Sequence, residues 1–286
     1  MPTLPLPQPF AAEPLVAFLA ARAIPGVERV TGERYERPGL TLRLRARHVD
    51  VLDGAPDAAR RLLDLDAPMA RIAERLGPDA PIAGLRVPGC VDGFELAVRA
   101  ILGQQVSVAG ASTLAGRIAA RHGGRMPSPA ELAAAEPPTF LPPARAGALT
   151  ALAAAVAGGL RLDPPLDLTA TRAALLALPG IGPWTVEYIA MRALGDRDAY
   201  PATDLVLRRQ DEGRSEAWRP YRAYAAMQLW AAASSSSSTT VAATGSTDTA
   251  AADSTTPESR TRGQTARSQT TSSSTSSATT TGTVAG

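Results

Sequence analysis

Leu178-Pro179-Gly180-Ile181-Gly182-Pro183-Trp184-Thr185, with Asp204 further along the chain, is the stretch on which the reading of this sequence turns. Thr171 to Ala177 before it is built of good helix formers, and Pro179-Gly180 ends that helix. Gly180 and Gly182 admit backbone conformations that a Cβ resists, so the chain can turn back at once. Pro183 suits the first turn of a second helix, where its missing N–H costs nothing. That helix runs through Val186, Tyr188, Ile189 and Met191 and stops at Gly195. Helix, glycine-rich hairpin, helix leaves free backbone N–H groups at the hairpin and helix start. They form a site for an anion, of which a DNA phosphate is one candidate.

A hairpin of this kind also occurs in plain helical packing, and its sequel is more specific. Residues 178–209, LPGIGPWTVEYIAMRALGDRDAYPATDLVLRR, resemble the helix-hairpin-helix plus Gly/Pro…Asp motif of base-excision DNA glycosylases. Within that superfamily they look most like the alkylbase branch, the DNA-3-methyladenine glycosylase II (AlkA-like) group. The resemblance extends back through residues 87–122 (VPGCVDGFELAVRAILGQQVSVAG…) and forward to WRPYRAYAAMQLW at 218–230. It implies a mostly α-helical glycosylase bundle preceded by a small mixed α/β lobe.

Composition sets the outer limits. From Ala231 onward the sequence is mainly Ser, Thr, Ala and Gly, with no Leu, Ile, Phe, Trp or Tyr. Such a segment buries too little apolar surface to offset the entropy of ordering, so residues 231–286 are expected to be a disordered tail. Net charge is +2, too small to declare a nucleic-acid partner. All 29 basic residues are Arg. Arg binds phosphate in bidentate fashion and stacks on bases; a GC-rich coding bias that writes Arg for Lys explains most of the usage. Without Lys the chain lacks the side-chain amine through which glycosylases that also cut the backbone form a Schiff base. The single cysteine, Cys90, excludes an internal disulfide and the four-cysteine iron–sulfur cluster of some relatives. His48 and His122 lack metal-ligand spacing. No signal peptide or bilayer-spanning run is present, and the expectation is a cytoplasmic protein, bacterial and nucleoid-associated, with no membrane partner.

Taken in order, residues 10–24 read as a helix closed by Pro25-Gly26, and Leu40 to Arg47 alternates as a half-buried strand with which Val27 to Tyr35 can pair. The Arg43, Arg45, Arg47 row reads as a solvated face. Pro56 to Leu76 gives two short helices split at Asp66-Ala67-Pro68. Residues 1–86 thus form the α/β lobe, expected to be trimmed, with too few strands for a full sheet. Residues 87–230 are helical. Ser128-Pro129-Ala130-Glu131 is a capping box, and a helix over Ala144 to Val156 ends at Gly158-Gly159.

Chemistry follows from the resemblance. Hydrolysis of an N-glycosidic bond passes through an oxocarbenium-like sugar, which a nearby carboxylate stabilises. Asp204 stands where an apolar helix begins; alone it reads rather as a helix cap, and the resemblance assigns it to catalysis. The flipped base needs a pocket, and an alkylated purine is cationic, so electron-rich rings favour it. By position in the motif Trp184, Tyr188 and Trp230 match the pocket aromatics, whereas Trp218, Tyr221 and Tyr224 read as core. Gln105, with its neighbour Gln104, matches the residue inserted into the gap left by the flipped base. Gly180, Ile181, Gly182 and Thr185 correspond to the phosphate-binding hairpin. The carbonyls of Leu176, Leu178 and Ile181 correspond to those that hold a monovalent cation, Na or K, beside DNA; no other cofactor is expected. The implied partner is double-stranded DNA containing damaged bases, bound by a monomer. The connection 210–217 is shorter and more polar than the helical connection usual there, which leaves open how the closing helix docks. Two alternatives stay open: a glycosylase for another damaged base, and a non-catalytic hairpin DNA-binding module.

Overall fold

The computed structural model describes residues 1–243, with side chains through Ser234; the expected tail over 244–286 lies outside the described residues. The chain begins with strand β1 (Thr3–Pro5), helix α1 (Ala12–Arg22), β2 (Arg29–Thr31), β3 (Arg34–Arg37), β4 (Leu40–Leu44) and β5 (His48–Asp53). These strands make one antiparallel sheet in the order β1-β5-β4-β3-β2. Leu42 lies opposite Tyr35 on one side and Val51 on the other, all three buried. The alternation that marks β4 in the sequence thus puts Leu40, Leu42 and Leu44 on the covered face. Arg43 sits on the other face between Arg34 and Asp50. Arg45 pairs there with Glu33 and Asp50 at 3.5 and 3.6 Å, a solvated row as expected.

The sheet is fuller than the sequence suggested, and the expectation of a lobe short of strands is corrected. β1 hid in a proline-rich start and β5 in a run that does not alternate, Val49, Asp50 and Val51 all being buried. Asp50 is kept in place by Thr3 and by the Arg45 ion pair.

After the sheet come α2 (Pro56–Leu62) and α3 (Met69–Leu76), split at the expected proline. The boundary expected at residue 86 does not follow the cores. Leu15 and Leu19 of α1 belong to the small core under the sheet, whereas Ile24 and Val27 just beyond it, with Ile72 and Leu76 of α3, join the large helical core. The two cores are pinned together by buried charge. Arg37 on β3 donates two hydrogen bonds, of 3.1 and 2.6 Å, to Glu95 on the first helix of the bundle, and Arg99 of that helix donates to Glu28 at 3.1 Å. Removing one partner of such a pair leaves a buried charge alone, a loss of about 3–5 kcal/mol.

That bundle comprises α4 (Gly93–Leu102), α5 (Val108–Arg121), α6 (Pro129–Ala134), α7 (Pro143–Ala157), α8 (Leu168–Leu176), α9 (Pro183–Arg192), α10 (Leu205–Gln210) and α11 (Arg222–Ala243). Its starts are written locally: Asp92, Ser107, Ser128, Asp167 and Asp204 each accept a backbone N–H of the first turn, and Ser128 with Glu131 forms the capping box. The short connection after α10 does dock the closing helix. It forms a single 3₁₀ turn, Ser215–Trp218. Trp218 is 2 % exposed and donates to Asp79 at 2.8 Å, Arg214 pairs with the same carboxylate, and Arg222 is held by Asp198. α11 then runs to Ala243, past the expected tail boundary at Ala231. Among the described residues no helix is long and apolar enough to cross a membrane.

Candidate active site

The hairpin between α8 and α9 turns at Gly180, whose φ is +76° and whose position leaves no room for a Cβ, since one would lie 2.8 Å from the Cβ of Ala148. Gly182 differs: its φ is −97° and a Cβ there would meet nothing in the chain. The fold therefore requires the first glycine only, and the second leaves an open approach to the backbone. No side chain caps α9, so its first N–H groups are free to meet an anion, and Pro183 sits in the first turn as expected. Thr185 is buried and its hydroxyl accepts from the Gln104 amide. The Leu178 carbonyl accepts the Ile181 N–H at 3.3 Å. Among the described residues no cluster of three or more His, Cys, Asp or Glu could hold a metal ion.

Asp204 is at once a helix cap and a cavity wall. Its Oδ1 accepts the backbone N–H groups of Val206 and Leu207 at 2.9 and 3.2 Å and the indole N–H of Trp230 at 3.1 Å. Its Oδ2 accepts one indole N–H, from Trp184 at 3.1 Å. One oxygen thus caps α10, while the other accepts a single hydrogen bond and keeps a free lone pair. The carboxylate borders a cavity of about 410 Å³ that Trp184, Tyr188 and Trp230 also line. Trp184 and Tyr188 stack at 5.2 Å with planes 7° apart, and Trp230 tilts against Tyr188 at 6.3 Å. Trp230 thus reaches the cavity, because the 3₁₀ turn and its salt bridges carry α11 back over α10. A cavity of this size and lining suits one small planar ligand.

Three arginines that the sequence did not single out reach the same cavity: Arg22 from α1, Arg99 from α4 and Arg192 from α9. Arg192 is buried, and its head donates to the carbonyls of Pro88 and Gly89 at 2.7 and 2.9 Å and to the Tyr188 hydroxyl at 3.0 Å. Burial alone would raise the pKa of the Tyr188 phenol. The positive charges of Arg192, Arg22 and Arg99 and the Arg192 hydrogen bond outweigh it and bring the pKa down to about 7. Arg192 was legible in principle, four residues after Tyr188 on one helix face. Arg22 and Arg99 carry no local signal.

The loop joining α4 to α5 presents Gln105, exposed and held at φ +56°. Gln104 does not share that position and is engaged within the chain. Its amide donates to the Gly180 carbonyl at 2.9 Å and the Thr185 hydroxyl at 3.0 Å, while Arg145 donates to its own carbonyl at 2.6 Å. It is a strut between loop and hairpin.

The chain has recognisable relatives. Residues 2–46 match the AlkA N-terminal domain family. The chain is 42% identical over 279 residues to a Mycobacterium tuberculosis protein named probable bifunctional transcriptional activator/DNA repair enzyme AlkA, covering 79% of this chain and 56% of that one. It therefore spans little more than half the length of that relative. It is 34% identical over 278 residues to DNA-3-methyladenine glycosylase 2 of Escherichia coli, covering 80% of this chain and 96% of that protein. The fold is shared with a 3-methyladenine DNA-glycosylase from Archaeoglobus fulgidus, at a TM-score of 0.67 and 20% identity over 81% of this chain and 98% of the other. With nearly the whole Escherichia coli protein matched at that identity, the chain belongs to the DNA-3-methyladenine glycosylase 2 (AlkA) family.

Proposed function

We propose that this protein is a monofunctional DNA glycosylase that hydrolyses the N-glycosidic bond of alkylated purines of the 3-methyladenine type in double-stranded DNA, as a monomer in the cytoplasm. The observation that carries the reading is the Asp204 carboxylate, held by two indole N–H groups on the wall of an aromatic cavity. The uncapped start of α9 and the open backbone at Gly182 grip a phosphate. Gln105 fills the gap left when the damaged nucleotide turns out of the stack into the space between Trp184, Tyr188 and Trp230. A purine alkylated on the ring is cationic, so when its bond to C1′ breaks the electron pair neutralises the leaving base. The positive charge that grows on the sugar faces Oδ2 of Asp204. A water molecule adds to C1′ and gives its proton to the carboxylate. The chain has no lysine to form a Schiff base, which supports hydrolysis without strand cleavage. A sodium or potassium ion belongs to the same reading: the carbonyls of Leu176, Leu178 and Ile181 are hard oxygen donors, and that of Leu178 keeps a second lone pair.

The test is release of methylated purines from an alkylated duplex by the purified protein at low salt, where weak phosphate binding is not limiting. Free base with intact strands, and abasic sites cleaved only on later treatment with base, is the expected result. Strand scission by the protein alone would contradict the monofunctional assignment, and no release from any lesion would leave only a hairpin DNA-binding module.

A further inference from the structure

The two loops read as DNA contacts carry no formal charge. Residues 103–108 (GQQVSV) and 178–185 (LPGIGPWT) hold no acidic or basic side chain, and in the stretch of α7 that supports them, 142–148 (PPARAGA), the one charged residue is Arg145. Both loops rest on that helix. A Cβ at Gly180 would lie 2.8 Å from the Cβ of Ala148 and 3.5 Å from the Ala144 carbonyl, so the hairpin turns directly against the start of α7. The Gln105 loop is tied to the same place: Arg145 donates to the Gln104 carbonyl at 2.6 Å, and the Gln104 amide donates to the Gly180 carbonyl at 2.9 Å. Arg145 therefore stands where hairpin, loop and helix meet. It is half-buried, pairs with no carboxylate among the described residues and gives the chain a single side-chain hydrogen bond, so most of its donor fork is unspent. Stability of α7 does not account for it. A cation in the first turn is opposed by the helix dipole, and that turn has no acidic residue to offset it.

We propose that Arg145 is a phosphate-binding residue, whose guanidinium takes a phosphodiester of the strand lying across the hairpin and the Gln105 loop. The proposal rests on the DNA-binding part of the function proposed above and adds a contact to it. The free N–H groups at the start of α9 attract a phosphate through partial charges alone. A guanidinium supplies a full charge in a fork that matches two phosphate oxygens. Its bond to the Gln104 carbonyl fixes the head before DNA arrives, so less side-chain freedom is lost on binding. The same bond steadies the loop that presents Gln105, so strand grip and inserted side chain are held at one spacing.

The experiment is a salt titration of binding to a duplex carrying a tetrahydrofuran abasic-site analogue, with the full chain, Arg145→Met, Arg145→Lys and Gln104→Ala. In Arg145→Met the slope of log affinity against log salt is expected to shrink by about 0.9, with roughly tenfold weaker binding at low salt. Arg145→Lys keeps the charge and should keep the slope. Gln104→Ala loosens the loop but leaves Arg145 and its backbone acceptor in place, so its slope should equal the parent's. A methylphosphonate placed at each phosphate beside the analogue in turn should weaken the parent at one position where it no longer weakens Arg145→Met. Weaker binding by Arg145→Met at an unchanged slope would make the residue a strut of the loop and overturn the proposal. A loss that varies with the base opposite the analogue would put the guanidinium on the orphaned base and overturn it too. If Arg145→Met does not fold, Arg145→Gln carries the same comparison. A parent that fails to bind this duplex at low salt refutes the DNA reading and the proposal with it, whereas a parent that binds and excises, beside an unchanged slope in the variant, refutes the role of Arg145 alone.

Discussion

Replacing Asp204 by Asn separates the two tasks of one carboxylate. As a helix cap Asn equals Asp, and its carbonyl oxygen keeps the bonds from Val206, Leu207 and Trp230. Its amide nitrogen then faces the Trp184 N–H that Oδ2 accepts at 3.1 Å, donor against donor. One part-buried indole N–H left unpaired costs about 1–3 kcal/mol of stability. The loss to catalysis is larger. A unit charge about 4 Å from the sugar, at an effective dielectric of about 20, contributes roughly 4 kcal/mol to the transition state, or on the order of a thousandfold in rate. Asp204→Ala removes the same charge together with the cap, so it falls by the same factor in rate but loses about 1 kcal/mol more in stability. The assay is single-turnover release of 3-methyladenine with the protein in excess, beside urea unfolding of both variants. If Asp204→Asn released base within about tenfold of the parent rate, no charge at this site would be stabilising the reaction.

Further outcomes follow from the same geometry. Gln104→Ala or Arg145→Met frees the loop that holds Gln105 at positive φ, and base flipping followed with a fluorescent purine should slow while thermal stability changes little. Gly180→Ala, at φ +76° and against Ala148, should destabilise the fold by about 1–3 kcal/mol in urea. Gly182→Ala meets nothing in the chain, so its stability should be unchanged while affinity for an abasic-site duplex falls; equal effects in the two variants would deny that a ligand approaches there. Burial raises the Asp64 carboxyl to about 6, against the hydrogen bonds from Tyr224 and Val87. The native state then holds a proton that the unfolded state has already released, so stability should fall as pH rises from about 4 to 6. Asp64→Asn should flatten that decline, worth about 3 kcal/mol at most; an unchanged pH profile would deny the shift.

Legibility tracked how local each signal was. The hairpin, its proline and the cap at Asp204 were readable because a turn and a helix start are decided within a few residues. Trp184, Tyr188 and Trp230 were nameable through a motif, but their convergence depends on α11 crossing α10, which the polar 210–217 segment concealed. That segment looked too short because its anchor, Asp79, lies far back in the chain. β1 and β5 escaped for a related reason: a strand of three residues containing proline has no pattern, and Asp50 breaks the alternation of a strand covered on both faces. Gln104 was placed beside Gln105 by adjacency, whereas the left-handed turn at Gln105 sends the two side chains to different duties. Arg22 and Arg99 arrive from α1 and α4, and no spacing in sequence announces such a meeting.

The last wall of the cavity, Trp230, comes from the closing helix, while the hairpin and the Gln105 loop belong to α4, α5, α8 and α9. Under the proposed function, a molecule in which α11 has frayed away keeps the hairpin and the Gln105 loop yet lacks one wall of the cavity. On that reading such a species would stall on a lesion and shield it from the next protein, and the local opening free energy of one helix would set how often that happens.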